Sequence, residues 1–181
     1  MSRRILHKEL WFSFIVIAKY IPRAFFVPKV KGDDFYMPAK QEEIKKRILS
    51  LTPDSLRGWG TMSAAQMLHH LALSLGGPLR FFTLPDESYL LSRTLFKWIL
   101  LDFFNEQPKG LRMPLAFVIP FNQEFNFETE KRLLLIILEK AWQTDGDDAW
   151  GRHPLFGKLT RKQWGKLALI HFDYHLKQFS A

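Results

Sequence analysis

The segment that most constrains this chain runs from Thr160 to about Phe179. Trp164, Leu167, His171, His175 and Gln178 follow one another at three- and four-residue steps, and Leu169, Phe172, Leu176 and Phe179 form a second stripe beside them. Residues three and four apart share a helix face. One helix thus carries two adjoining faces of large side chains and is widely buried, so other elements have to surround it. Thr160-Arg161-Lys162-Gln163 is a capping-box pattern that marks its start.

Three more amphipathic segments supply those elements. Ala39 to Leu51 places Ile44, Ile48 and Leu51 on one side and a charged face on the other, and Pro53 biases Thr52 out of the helical region. Ser63-Ala64-Ala65-Gln66 is a second capping box, opening a helix through Leu75 that Gly76-Gly77-Pro78 stops. Asn126 is the N-cap of a helix through Gln143, with Glu128 and Glu130 in the first turn, where carboxylates complement the helix dipole. Between these helices, residues 79–125 are irregular. Ser88 to Phe104 can form a helix on the stripe Leu91, Leu95, Trp98 and Leu101. Met113 to Phe121, framed by Pro114 and Pro120, can form one short strand or an extended loop crossing the bundle. Four amphipathic helices with long connections predict an all-α fold, an antiparallel four-helix bundle with additions, in which ligand sites are built from inward side chains of facing helices.

Composition narrows the chemistry. The chain of 181 residues suits one domain and contains no cysteine, which excludes disulfides, thiolate ligands and a cysteine nucleophile. Any site must use His, Asp or Glu. The net charge of +8 is concentrated at one end. Residues 1–31 hold seven basic side chains against Glu9, a balance of +6, which leaves +2 for the other 150 residues. A nearly neutral body without a finger, helix-turn-helix or RNA-binding signature is not a nucleic-acid binder.

The basic end is itself apolar. Residues 5–21 form a helical stretch whose uninterrupted core, Leu10 to Ala18, is far shorter than the roughly 20 residues a spanning helix needs. No small-residue cleavage site follows it. It reads as an N-terminal helix packed on the domain or on a second copy in a homodimer. The alternative is a basic interfacial helix in peripheral contact with an anionic membrane. The expected division is 1–37 for this helix and its linker and 38–181 for the bundle. The expected compartment is the cytoplasm, or the inner face of the membrane should the helix dock there.

His171 and His175 stand four residues apart, so their Cβ atoms lie roughly 5–6 Å apart on one face. That spacing lets two imidazoles hold one metal ion, as paired histidines on a helix do in zinc sites. The competing reading is a pair of core histidines satisfied separately by hydrogen bonds. Phe172 stands where a metalloprotease helix needs glutamate, and Asp173 points about 200° away from His171, so it reads as a surface or packing carboxylate rather than a base. A third ligand has to come from a facing helix, where periodicity mildly prefers His70 over His69. His153, before Pro154, reads as a residue supporting a ligand from behind, as part of a lid, or as the anchor of a turn. His7 is assigned no role.

The runs Leu51-Thr52-Pro53-Asp54-Ser55, Trp59-Gly60-Thr61-Met62-Ser63 and Gln66-Met67-Leu68-His69-His70 resemble a branch of unknown function in the DinB-like superfamily. So do His153-Pro154-Leu155-Phe156-Gly157, Trp164-Gly165 and the closing run His171 to Phe179. The resemblance spans roughly 39–180. It implies a DinB-like four-helix bundle with a metal centre on His70, His171 and His175, His70 being chosen because it falls four residues after the motif glutamine. Tyr174 departs from the histidine expected at that position of the closing motif. Relatives in the wider superfamily include transferases and isomerases that use a divalent metal to activate a small-molecule thiol.

These readings together predict a divalent ion, zinc first and nickel or manganese as alternatives, activating a thiol or water in a transferase or hydrolase. Gln66 or Gln178 would orient a ligand, and Trp59, Trp164 and His153 would line the pocket mouth. The rival is a non-catalytic scaffold with structural histidines.

Overall fold

Four long helices begin where their local chemistry places them. In the computed structural model, which describes residues 18–22, 24–110 and 114–181, α1 spans Pro38–Ser50 and opens on a proline whose missing N–H costs nothing in the first turn. Helix α2 spans Ala64–Gly76, and the Ser63 side chain and Gln66 close a reciprocal capping box at its start. Helix α3 spans Phe127–Gln143, with the Asn126 side chain accepting from the Thr129 amide at 2.9 Å. Helix α4 spans Arg161–Gln178 and opens on the Thr160–Gln163 capping box. No strand occurs among the described residues, and the fold is all-α.

Contacts between helix ends give their directions. Lys131, at the start of α3, donates to the Leu49 and Leu51 carbonyls at the end of α1, and Phe35, ahead of α1, packs on Trp142 at the end of α3. These two helices run in opposite senses. Helices α2 and α3 run in the same sense, since His69 meets Glu130 and Gly76 lies against Ile137. Helix α4 opposes α2: the Gly58 amide donates to Gln178 O at 2.6 Å, while at the other end Gly151 N donates to Pro78 O and Trp150 stacks on Trp164. Helices α1 and α4 point the same way, with Tyr36 Oη donating to Arg161 O near their starts and Arg47 reaching Asp173 near their ends. The bundle is therefore ordered up, down, down, up.

That order explains the irregular insertion. Parallel neighbours need a crossover that returns the chain along the bundle, and residues 77–126 provide it. Its helical part includes wide, π-type turns at Ser92–Phe96 and Trp98–Phe103. The wider turn moves the buried positions to Ser92, Phe96 and Leu101, at steps of four and five. Of the stripe expected to face inward, Leu91, Leu95 and Trp98 are exposed and only Leu101 is buried. The stretch after it forms a short 3₁₀ turn, Leu115–Phe117, within an extended loop that crosses α2. The loop form of that expectation holds.

The core lies between the helices, around Ile48, Met67, Leu71, Leu134, Phe172 and Leu176, all fully buried. It also reaches beyond α1. The 3₁₀ turn Gly32–Tyr36 lies against the start of α4, where Gly32 and Gly165 meet backbone to backbone, and Phe35 is fully buried. A Cβ on Gly165 would sit 2.2 Å from the Gly32 carbonyl oxygen, so neither position has room for one. The packed body thus begins ahead of Pro38. The apolar helix expected over 5–21 lies largely outside the described residues; residues 18–22 are helical. No helix among the described residues is long and apolar enough to cross a membrane.

Candidate metal centre

The antiparallel packing of α2 on α4 brings His70 to His171 and His175. Ring centroids are 5.0 Å apart for His70 and His171, 4.7 Å for His70 and His175, and 4.6 Å for His171 and His175. One potential ligand atom from each lies within 4.8 Å of the others. His70 and His175 are buried, and His171 retains partial exposure.

Each ring is held through its Nδ1 by an oxygen. His70 Nδ1 lies 3.2 Å from the Phe117 carbonyl, His171 Nδ1 2.7 Å from Gln107 Oε1, and His175 Nδ1 2.6 Å from Gln178 Oε1. An oxygen acceptor at each Nδ1 assigns the proton to that nitrogen and leaves Nε2 as a bare lone pair. All three Nε2 atoms are buried and have no hydrogen-bond partner among the described residues. An unsatisfied buried acceptor costs roughly 1–3 kcal/mol, and three of them side by side call for a shared partner. A divalent cation fits: three neutral imidazoles, each fixed through its far nitrogen, form the donor set and outer support of histidine metal sites.

Electrostatics favour the neutral rings that such a site requires. Burial, with the neighbouring rings adding to it, lowers His70 to about 4 and His175 to about 3, and holds His171 well below the ordinary imidazole value. The three donors are unprotonated at neutral pH without any metal to displace a proton.

The other predicted residues fall into place around this cluster. Gln178 is the orienter of His175, and its amide nitrogen donates to Trp59 O at 3.3 Å. Gln66, the alternative orienter, does not serve the histidines. Its oxygen caps α2 through Ser63 N, and its nitrogen donates to Phe121 O and Gln123 O, tying the crossover to the helix start. Both of its ends are committed to backbone groups. Trp59 contributes its carbonyl, while its ring lies under Lys109 Nζ at 3.9 Å and edge-on to Tyr174. Trp164 is buried and stacked between α4 and Trp150, which makes it a packing residue rather than part of a mouth. His153 Nδ1 accepts from the Leu155 and Phe156 amides at 3.0 and 3.1 Å, so it anchors the turn before α4. Its burial pushes its pKa down to about 3. His69 is excluded from the cluster by its own partners, Glu130 at 2.9 Å and the stacked ring of Phe125. Asp173 pairs with Arg47 and Lys177, the packing role expected for it.

Two groups escaped sequence reasoning: Gln107 and the Phe117 carbonyl, both from the crossover. A backbone carbonyl has no sequence signature, and Gln107 precedes Pro108 in a stretch without periodicity, so neither carried a readable signal.

Fold and site together define an all-α protein with a buried three-histidine cluster spanning two helices. Residues 34–181 match the family described as Protein of unknown function (DUF1569), and the chain belongs to that family. No curated protein and no solved structure matches it.

Proposed function

We propose that this protein is a metal-dependent enzyme of the DinB-like superfamily, with His70, His171 and His175 as the ligands of a divalent ion. Zinc suits three imidazoles best, and nickel and manganese are the alternatives. The observation that carries the reading is the convergence of three buried Nε2 atoms without partners, each on a ring whose other nitrogen is already engaged. One ligand from α2 and two from α4 is also the distribution that the resemblance implies. The chemistry such an ion supplies is Lewis acidity, which brings deprotonation of a water or a small-molecule thiol close to neutral pH. Transferases and hydrolases both use a nucleophile made this way. Gln107, Gln178 and the Phe117 carbonyl hold the rings in the tautomer that binds.

The burial of all three Nε2 atoms favours a second reading, a scaffold in which the ion ties α2 to α4 without turnover. A catalytic site keeps a ligand position open, whereas a structural one is closed.

Metal analysis of the purified protein tests the site. Wild type is expected to hold about one ion per chain, and His70→Ala, His171→Ala and His175→Ala far less. A wild type that stays metal-free after incubation with zinc, nickel or manganese overturns the proposal. Cobalt-substituted protein then separates the two readings. A visible spectrum that shifts on adding a small thiol reports an open position and favours the enzyme; an unresponsive spectrum favours the scaffold.

A further inference from the structure

The insertion that supplies Gln107 also carries an apolar surface the metal site does not use. Leu91, Leu95 and Trp98 lie on its wide-turned helical part and are 45%, 37% and 55% exposed. Trp98 continues into Phe103 at 6.2 Å, and Phe103 into Phe25 at 5.6 Å, so the face reaches the N-terminal segment. Phe25 is itself 74% exposed, and Ile21 beside it in sequence is 42% exposed. A tryptophan and a phenylalanine held outward on one continuous face are expensive to leave in water, and contiguous exposed apolar surface marks an interaction site.

Charge identifies the partner. In sequence, residues 18–31 and 88–103, the two segments the face draws on, contain Lys19, Arg23, Lys29, Lys31, Arg93 and Lys97 against Asp102 alone, and Arg93 is paired with Asp86. Lys19, Lys29 and Lys31 are exposed and pair with no carboxylate among the described residues. The sequence ahead of Ala18 adds Arg3, Arg4 and Lys8 and the apolar run from Leu10. A second copy packed on this face would set like charges against each other, whereas an anionic bilayer satisfies both features. Aromatic side chains prefer the headgroup boundary, and each nearby lysine or arginine gains about 1 kcal/mol from an anionic leaflet.

We infer that Phe25, Leu91, Leu95 and Trp98, flanked by Lys19, Lys29 and Lys31, form a docking face for the surface of an anionic phospholipid bilayer. The bundle then rests on the membrane by its crossover, with no spanning helix among the described residues.

Vesicle flotation of the full chain tests this. Recovery is expected with vesicles containing about 30% phosphatidylserine and not with pure phosphatidylcholine, and it should fall as salt rises. Phe25→Asp combined with Trp98→Asp is expected to lower the bound fraction about tenfold or more. Lys29→Glu combined with Lys31→Glu changes only exposed side chains, so it keeps the test valid if the first pair unfolds the protein. It should weaken binding about tenfold as well. Equal recovery on neutral and anionic vesicles, or none on either, overturns the inference. So does a stable dimer in sedimentation that Trp98→Asp converts to monomer, because the face would then belong to a second copy.

Discussion

His175 Nδ1 lies 2.6 Å from Gln178 Oε1, one turn further along the same helix, and the other end of that amide donates to the Trp59 carbonyl. The Trp59 bond fixes which way the amide faces. The amide in turn fixes which nitrogen of His175 carries its proton. A single glutamine thus links the loop before α2 to the lone pair aimed at His70. Gln107 Oε1 takes the corresponding place beside His171 Nδ1, from the crossover.

Removing one of these supports should weaken metal binding without removing a ligand. Gln107→Leu is expected to lower affinity about 10–100-fold, measured by competition with a chromophoric chelator. The metal-free form should also lose about 1–3 kcal/mol of stability, because the substitution leaves His171 Nδ1 without its acceptor.

Acid should destabilise the metal-free protein earlier than an ordinary carboxylate-driven transition would. His70, His153 and His175 titrate at about 3 to 4 when folded and near 6.5 when unfolded, and His171 is lowered in the same direction. Below pH 6.5 the unfolded chain binds protons that the folded chain refuses, so stability falls as pH falls. Each histidine contributes a slope on the order of 1 kcal/mol per pH unit. Urea midpoints in the presence of a chelator should be level above pH 7 and decline steadily from pH 6.5 to 5. A midpoint unchanged over that interval contradicts the burial of these rings.

His69 and His70 are neighbours with separate tasks, and the difference is measurable. Glu130→Leu leaves His69 Nδ1 without its partner in a half-buried setting, at an expected cost of about 1–3 kcal/mol. Metal content should stay at the wild-type level, as it should in His69→Ala. Loss of metal in either variant would reassign the α2 ligand.

Gly165→Ala tests the packing that seats α4. In an exposed helix interior the change stabilises by roughly 1 kcal/mol. Here the new methyl would stand 2.2 Å from a backbone oxygen, and backbone cannot swing aside as a flexible side chain can. A net loss of about 1–3 kcal/mol is expected, read as a lower melting temperature.

Much of this arrangement was legible in the residues because it is local. Ser63, Asn126 and Thr160 announce the starts of three helices through their own side chains. The stripe from Trp164 to Gln178 follows from helical periodicity. The crossover was not legible in the same way: its wide turns break the usual period, so Leu91, Leu95 and Trp98 looked inward and are outward. The glutamines divided for a related reason. Gln178 could be placed beside His175 by its spacing, whereas Gln66 is drawn off by carbonyls of a loop far away in sequence, which no periodicity encodes.

The parallel run of α2 and α3 has a consequence for how the molecule comes together. Neighbouring helices normally zip up through a short turn, but here the chain must first lay down residues 77–126 before α3 finds its place. His70 then waits about a hundred positions for its partners on α4. Long-range closure of this kind is slow, since the entropy of the loop is lost before any contact compensates it. The histidine cluster therefore rests on some of the most non-local contacts in the fold, and an ion that bridged it would tie together two segments about a hundred positions apart in the chain.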